Sequence, residues 1–334
     1  MPIINQLKNT ILRHKMLKAK DRLLLGVSGG PDSLAMLFLF NHLRQSMGLR
    51  LYVAHLNHQM RKDAALDLEF VRKACRKLGI PFFGESINSL KLKAKGSLEE
   101  VAREIRRDFL IKIAKRNAIP VIALGHTKDD QAETVLMRLL RGSGLSGLSG
   151  ILPRRNIAGL VFIRPLIEIE RKDIDKYLKK IKIKPRIDAT NKELCFFRNR
   201  IRHKLLPHLA NGYSPNIKTL LSNTASILGL DYDYINQQGA QALMKCSRIS
   251  LQAKRLYLKI SLDRLKKLHP AMQRMVLRLG VERLKGDTRR LTFKHWEELE
   301  DLFINRKANS IVDLPAGICV KKEPKYLVVS LRKP

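Results

Sequence analysis

The sequence has few cysteines, few acidic residues and no long apolar run. Its four cysteines, Cys75, Cys195, Cys246 and Cys319, stand far apart, and no CxxC pair occurs. This spacing excludes a local zinc knuckle or redox pair, and scattered single thiols suit a reducing compartment. Apolar runs such as LAMLFLF are too short to span a bilayer, and the N-terminus lacks the apolar core of a signal peptide. We therefore expect a soluble, cytoplasmic protein that has no membrane partner.

The shortage of acidic residues makes the chain strongly basic. Only 30 Asp and Glu stand against 65 Lys and Arg, which gives a formal net charge of +35. A positive field of this size favours a polyanionic partner, and the affinity should fall steeply with salt. The alternatives are a lysine-rich surface without a partner and a surface that meets anionic lipids.

The length of 334 residues fits two domains better than one. In the first half, the apolar runs RLLLGV, RLYVAHL, IPFFGESI and PVIALGH alternate with helical patterns. This alternation predicts an α/β fold with a doubly wound, Rossmann-like parallel sheet. We assign residues 1–211 to this domain, because Pro207 and the NGYSPN turn indicate a boundary. Residues 212–334 are predicted to form a smaller, mainly helical domain with a C-terminal strand pair.

The most informative stretch is GVSGGPDSLAML, residues 26–37, which follows an apolar run and opens a helical pattern. It is neither a Walker A loop nor GxGxxG. Its two glycines allow close approach of the backbone to a ligand, and proline fits the first position of a helix. The free N–H groups at that helix terminus can bind phosphate. A turn of small residues that merely caps a helix is the alternative. The residues assigned to ATP are Ser28, Gly29, Gly30, Pro31, Asp32 and Ser33.

The string SGGPDS resembles the pyrophosphate-binding loop (PP-loop) of the N-type ATP pyrophosphatases. In that family, ATP is split between its α and β phosphates, AMP is transferred to a carbonyl oxygen, and a nucleophile then displaces AMP. Within it, the chain resembles the tRNA(Ile)-lysidine synthetase family over most of its length, in the short form that lacks a third, C-terminal domain. The stretches that carry this resemblance are residues 54–61, 96–110, 125–151, 163–169, 188–209, 268–285 and 310–323.

The resemblance implies an ATP- and Mg²⁺-dependent ligase. It would attach free L-lysine to C2 of the wobble cytidine of tRNA(Ile) with a CAU anticodon, through an adenylated cytidine, giving lysidine, AMP and pyrophosphate. The oligomeric state is left open, and a homodimer is one option. A tRNA thiolase of the same family is the first alternative, although such enzymes need cysteines in recognisable motifs. A non-catalytic basic RNA-binding protein with a decayed ATP site is the second.

Individual roles follow from motif position. His126 and Asp130 flank a strand-to-helix turn, so both can face one ligand. His126 can bind phosphate or move a proton, and Asp130 can hold Mg²⁺ or the lysine ammonium; helix capping is the alternative for Asp130. Asp32 beside phosphates makes sense only with a cation. The predicted catalytic residues are Asp32, His126, Asp130 and Arg198; the predicted lysine or tRNA ligands are Arg106, Asp130, Glu133 and Arg202; the predicted Mg²⁺ ligands are Asp32 and Asp130.

Solvated salt bridges are the alternative for Glu133 and the three arginines. Arginine nevertheless suits phosphate or a flipped nucleotide, since its planar fork binds oxyanions through two donors.

Overall fold

The computed structural model describes residues 2–57, 64–87, 98–186, 196–252, 255–286, 288 and 291–332. Parts of three of the sequence stretches that carry the resemblance, residues 58–61, 96–97 and 188–195 with Cys195, lie outside these ranges. The chain divides into two compact units, Met1–Gly229 and Leu230–Pro334. The boundary placed after residue 211 stays a prediction. No helix in the described ranges is long and apolar enough to cross a membrane.

The first unit contains a six-stranded sheet. Its strands, in sheet order, are β3 (Phe82–Ser86), β2 (Arg50–Asn57), β1 (Arg22–Gly26), β4 (Val121–Leu124), β6 (Leu160–Ile163) and β5 (Arg154–Ile157). All neighbours pair in parallel except β5, which pairs antiparallel with β6 at one edge. The predicted parallel sheet is therefore confirmed, with an added hairpin at its edge.

Helices cover both faces of this sheet. They are α1 (Pro2–Arg13), α2 (Pro31–Leu43), α3 (Ala64–Leu78), α4 (Leu98–Arg116), α5 (Lys128–Leu139), α6 (Leu145–Leu148), α7 (Arg171–Lys180), α8 (Phe197–Arg200) and α9 (Leu206–Gly212), with a π-helical turn at Ile201–Leu205. Leu23 and Leu25 of β1 pack with α1, α2 and α7, while Leu24 packs with α4 on the opposite face. Side chains that alternate between two apolar layers make the strand a continuous hydrophobic run.

A long helix, α10 (Ile217–Cys246), leads from the first unit into the second. The second unit has a five-stranded antiparallel sheet and three further helices. Its sheet order is β7 (Ser247–Gln252), β8 (Arg255–Ser261), β11 (Tyr326–Leu331), β10 (Ile318–Lys322) and β9 (Ile311–Leu314), and its helices are α11 (Leu262–Lys266), α12 (Pro270–Lys285) and α13 (Phe293–Ile304). Leu258, Val276 and Leu302 lie in its core. The C-terminal strands predicted from the sequence thus belong to a larger sheet, in which β7 and β8 were not expected.

Candidate active site

The PP-loop joins the carboxyl end of β1 to the first turn of α2, as the sequence predicts. Gly29 has a φ of +86°, a left-handed conformation that favours glycine. The Ser33 hydroxyl accepts a hydrogen bond from the Ser28 amide (3.1 Å) and donates one to the Gly30 carbonyl (2.9 Å). Gly30 is the N-cap and offers no side-chain cap. The first turn of α2 therefore keeps N–H groups that an anion can take.

A cavity of about 210 Å³ opens beside this loop at the carboxyl edge of the sheet. Its polar wall contains Ser28, Gly30, Asp32 and Ser33, with Arg106 and His126 also lining the cavity, and its apolar wall contains Ala54, Leu56, Phe109, Leu110 and Leu124. The structure thus brings together residues from β1, β2, α4 and β4. A cleft with an apolar wall and a few convergent polar groups is the usual form of a small-molecule site.

Asp32 lies in the first turn of α2 and is held by Arg171, the first residue of α7. Its Oδ2 accepts a hydrogen bond from Arg171 Nη1 at 2.7 Å, while its buried Oδ1 has no hydrogen-bond partner among the described residues. Burial raises the pKa of Asp32 to about 7, Arg171 opposes this shift, and the Asp130 charge adds to it. A desolvated carboxylate with one unsatisfied oxygen fits a cation. No sequence pattern indicates Arg171 as this partner, because it lies 139 positions from Asp32 along the chain.

His126 reaches the same cavity because the segment after β4 packs directly on α2. A Cβ at Gly125 would stand 3.2 Å from the Ser33 backbone, so a larger residue would push the two segments apart by a few tenths of an ångström. The Nδ1 atom of His126 is buried and lacks a hydrogen-bond partner in the described part of the chain. Burial holds the pKa of His126 below its ordinary value, although the Asp130 carboxylate acts in the opposite direction. The imidazole is therefore neutral near pH 7, and burial makes it a weaker base than an ordinary histidine.

Four of the predicted site residues form one buried charge network between α5 and the helical segment that starts at α8. Arg198 Nε donates to Glu133 Oε2 at 2.7 Å and Arg198 Nη2 donates to Asp130 Oδ1 at 2.8 Å. Arg202 Nη2 contacts the same two carboxylates, at 3.1 Å for Glu133 and 3.4 Å for Asp130. Glu133 is only 1% exposed. Its solvated salt-bridge alternative is therefore wrong, because the Glu133 carboxylate itself is buried, while Arg198 and Arg202 are half-buried.

Asp130 also caps its own helix. Its Oδ2 accepts hydrogen bonds from the Thr127 amide (2.9 Å) and the Thr127 hydroxyl (3.1 Å), and Thr127 Oγ1 accepts from the Asp130 amide. Both carboxylate oxygens are thus engaged. Arg198 and the Thr127 amide hold the pKa of Asp130 below its ordinary value, against the effect of burial. The magnesium role of Asp130 stays a prediction, and capping, its alternative, is present.

His55 is a supporting residue that sequence reasoning missed. It lies in β2, is 3% exposed, and its Nδ1 is 2.8 Å from the carbonyl of Val27, where the PP-loop begins. Burial lowers the pKa of His55, so the neutral ring donates its Nδ1–H to this carbonyl. One signal was available, a single polar ring inside the apolar run RLYVAHL.

Comparison with known proteins agrees with this geometry. The sequence profile of the PP-loop domain matches residues 3–209, and that of the TilS substrate binding domain matches residues 260–323. The tRNA(Ile)-lysidine synthase of Clostridioides difficile is 36% identical over 331 residues, covering 98% of this chain and 70% of the relative. That of Caldanaerobacter subterraneus subsp. tengcongensis is 38% identical over 334 residues, covering 99% and 70%.

Among solved structures, the U34-tRNA thiolase NcsA of Methanococcus maripaludis is similar in fold. The TM-score is 0.57 at 19% identity, and the match covers 68% of this chain and 78% of the thiolase chain. Identity at this level supports a shared fold alone. The two profile matches, and the relatives that match nearly all of this chain, are more specific evidence. Both agree with the PP-loop cavity described above. This chain belongs to the tRNA(Ile)-lysidine synthase family of PP-loop proteins.

Proposed function

We propose that the chain uses ATP to join free L-lysine to C2 of the wobble cytidine in tRNA(Ile) with a CAU anticodon, giving lysidine, AMP and pyrophosphate. The observation that carries this proposal is the cavity at the sheet edge. It gathers the PP-loop, Arg106 and His126. The relatives named tRNA(Ile)-lysidine synthase match this chain almost from end to end.

The two walls of the cavity suit the two halves of ATP. Ala54, Leu56 and Leu110 give an apolar surface for the adenine ring. The Ser28–Ser33 loop and the uncapped N-terminus of α2 offer N–H groups and hydroxyls to the phosphates. ATP bound this way would place its phosphates next to Asp32.

The donor set fits Mg²⁺ at Asp32. The buried Oδ1 atom lacks a partner among the described residues, and such an oxygen is what a cation would satisfy. Within those residues, no group of three or more His, Cys, Asp or Glu could hold a metal ion by itself. Mg²⁺ commonly binds through one or two carboxylates together with substrate phosphates, which agrees with this sparse set. When bound, Mg²⁺ offsets the charge that develops on the phosphates.

The reaction has two steps. The O2 atom of cytosine attacks the α-phosphorus of ATP, the bond from this phosphorus to the β-bridging oxygen breaks, and pyrophosphate leaves. The ε-amine of lysine then attacks C2, the C2–O2 bond breaks, and AMP leaves with that oxygen. The amine must be neutral to attack, and it loses one proton as the C–N bond forms. His126 is neutral at this edge of the sheet and would take that proton, although burial makes it a weaker base than an ordinary histidine.

The charge network contributes both signs of charge near the reacting groups. Arg198 and Arg202 supply cationic donors for the phosphoryl oxygens or the flipped base, as Arg106 does from the cavity wall. Asp130 and Glu133 supply carboxylates for the lysine ammonium. In the structure the two arginines occupy these carboxylates, so bound lysine would compete with the guanidiniums for them.

The thiolase alternative finds little support at the site. Of the cysteines in the described ranges, Cys75 belongs to α3 and is buried in the core, and Cys246 and Cys319 belong to the second unit. Burial raises the pKa of the Cys75 thiol to about 12, which keeps it protonated and unreactive.

Pyrophosphate release tests the proposal. The wild-type chain should release pyrophosphate from ATP only when CAU-anticodon tRNA(Ile) is present. Repeated turnover should also require lysine, because lysine acts in the second step. Asp32→Asn should lower the rate by at least about 100-fold, the scale of a lost electrostatic contact at a reacting centre. Asp108→Asn, at an exposed position of α4, is the matched control. Near-normal turnover of Asp32→Asn at saturating Mg²⁺ would contradict the assignment of Asp32.

A further inference from the structure

A second cavity lies in the first unit, outside the PP-loop site. It is an open groove of about 340 Å³ between the end of α5 and the segment from α8 to α9. Its lining residues are Leu140, Phe197, Arg200, Ile201, Lys204, Leu205 and His208, none of which is acidic. We call it the Phe197 groove. Its floor belongs to the small apolar core around Ile201 and Leu206.

Large apolar side chains remain exposed at this groove. Leu140 is 58% exposed, and its neighbour Leu139 and the adjacent Phe196 are 54% and 46% exposed. Neighbouring apolar residues left in solvent commonly mark a binding surface. The groove also lies beside a π-helical turn, and such turns are frequent at functional sites.

Two guanidinium groups stack at the Phe197 ring. The Cζ atoms of Arg141 and Arg200 lie 5.4 Å and 5.5 Å from its centroid. The result is a cluster of planar, cationic and aromatic groups with Lys204 and His208 at its rim. Such clusters bind unpaired nucleobases, which stack on aromatic rings and on arginine planes while basic residues hold the phosphates.

We infer that the Phe197 groove binds one unpaired nucleobase of the RNA substrate, stacked on Phe197 and its guanidiniums, with the flanking phosphates on Arg200 and Lys204. The inference rests on the proposed function for its RNA. Charge argues against a second copy of this chain as the occupant, because a two-fold contact would set Arg200 and Lys204 against their own equivalents. The net charge of +35 also opposes contact between two copies of the chain.

The groove connects to the PP-loop site through one short segment. Ile201 lines the groove, while Arg198 and Arg202, three positions before it and one after it, bind the carboxylates of α5. A base in the groove and a base at the network would therefore be held by the same stretch of backbone. This placement suits a loop nucleotide close to the one that reacts.

The test is direct binding of CAU-anticodon tRNA(Ile) transcript to the full chain, measured by fluorescence anisotropy without ATP or lysine. Phe197→Leu keeps apolar packing but removes the ring, and should weaken binding roughly 5- to 150-fold, the range for loss of one stacked base. Phe82→Leu, at a half-buried phenylalanine of β3 that also has a guanidinium, that of Arg72, over its ring, is its matched control. Arg200→Gln should also weaken binding. Arg76→Gln removes an equal charge at an exposed position of α3 and should change the affinity for the transcript only slightly.

Transcripts with single abasic nucleotides in the anticodon loop identify the base. At one position, the deficit of Phe197→Leu should disappear, because the base that it stacks is already absent. The inference is overturned if folded Phe197→Leu and Arg200→Gln lose no more affinity than their controls. It is also overturned if Arg200→Gln dissociates a dimer in sedimentation while RNA affinity stays unchanged. If groove variants lose RNA affinity but the wild type forms no lysidine, the inference stands and the proposed function fails.

Discussion

At the scale of single residues, the site depends on buried charges that hold one another in place. Glu133 is almost fully buried and accepts hydrogen bonds from both Arg198 and Arg202. Asp130 shares these arginines and caps α5 with its other oxygen. Each carboxylate therefore stabilises the fold besides any contact with substrate. Its substitution is expected to change both stability and activity.

Glu133→Gln should destabilise the first unit by about 3 kcal/mol. The amide leaves two guanidiniums short of a negative partner in a buried position, and breaking a buried ion pair from one side typically costs about 3–5 kcal/mol. Urea unfolding measures the loss. The control is Glu69→Gln, which removes an exposed partner of Arg72 and should change stability by less than about 0.5 kcal/mol. Equal effects of the two substitutions would contradict the buried network.

Glu168 should contribute stability that depends on pH. Hydrogen bonds from His14 and Thr10 and the charge of Arg13 lower the pKa of Glu168 to about 2 from its ordinary 4.5. A depressed carboxylate pKa stabilises the fold fully above pH 4.5, and that contribution is lost as pH falls from 4.5 toward 2. Glu168→Gln should therefore lower the free energy of unfolding, measured with urea at pH 7, by on the order of 2 kcal/mol after solvent screening, and the difference should shrink by pH 3. A difference independent of pH would contradict the ion pairing.

At the scale of elements, the glycine-serine loop after α5 is held from several sides. Arg138 Nη1 donates to the carbonyls of Gly147 and Gly150, both at 2.7 Å, and Gln131 Oε1 accepts from the Ile151 amide at 2.6 Å. These contacts come from α5 itself, the helix that carries Asp130 and Glu133. The loop is therefore an ordered extension of this helix.

Two glycines of this loop should respond oppositely to alanine. Gly150 has a φ of +64°, and a Cβ there would lie 2.6 Å from Gln131 Oε1, so Gly150→Ala should cost about 1–3 kcal/mol. Gly144 has a φ of −77° and open space, so Gly144→Ala should be neutral or stabilise by up to about 1 kcal/mol. The unfolding temperatures of both variants, compared with that of the wild type, test these two predictions. A stable Gly150→Ala protein would show that the loop is free to rearrange.

The elements also show what sequence patterns can predict. The strands and helices of the first unit follow from apolar runs and helical patterns, and the helix capping named as the alternative role of Asp130 is present. The β5 hairpin is short and mostly exposed, and β7 and β8 have no turn signal strong enough to separate them from helical patterns. Strand pairing of this kind is decided by tertiary packing, which local sequence does not record.

The site itself was only partly predictable for the same reason. PP-loop residues are contiguous, so their sequence alone indicates phosphate binding. Arg171 meets Asp32 across 139 positions, and Arg198 meets Glu133 across 65, so these partners follow only from the fold. The motif resemblance supplied Arg198 but not Arg171 or His55.

At the scale of the whole molecule, the net charge of +35 should govern affinity for RNA. Phosphate contacts release counterions, so the logarithm of the tRNA association constant should fall linearly with the logarithm of salt concentration. A slope steeper than about −4 would correspond to several phosphate contacts. A slope near zero would instead favour the alternative interpretation of the charge, a lysine-rich surface without a polyanionic partner.

Incorporation of radiolabelled lysine into tRNA(Ile) with a CAU anticodon is the sharpest test of the proposed lysine attachment. Label should enter the tRNA only with ATP, and one AMP and one pyrophosphate should appear for each lysine attached. Changing the wobble cytidine to uridine should abolish incorporation, because uridine presents N3–H and a C4 oxygen where cytidine presents an acceptor N3 and a C4 amine. Asp32→Asn should do the same, because the cation ligand is then lost. Absence of lysine in the tRNA while a sulfur donor is incorporated would contradict the account and favour a thiolase.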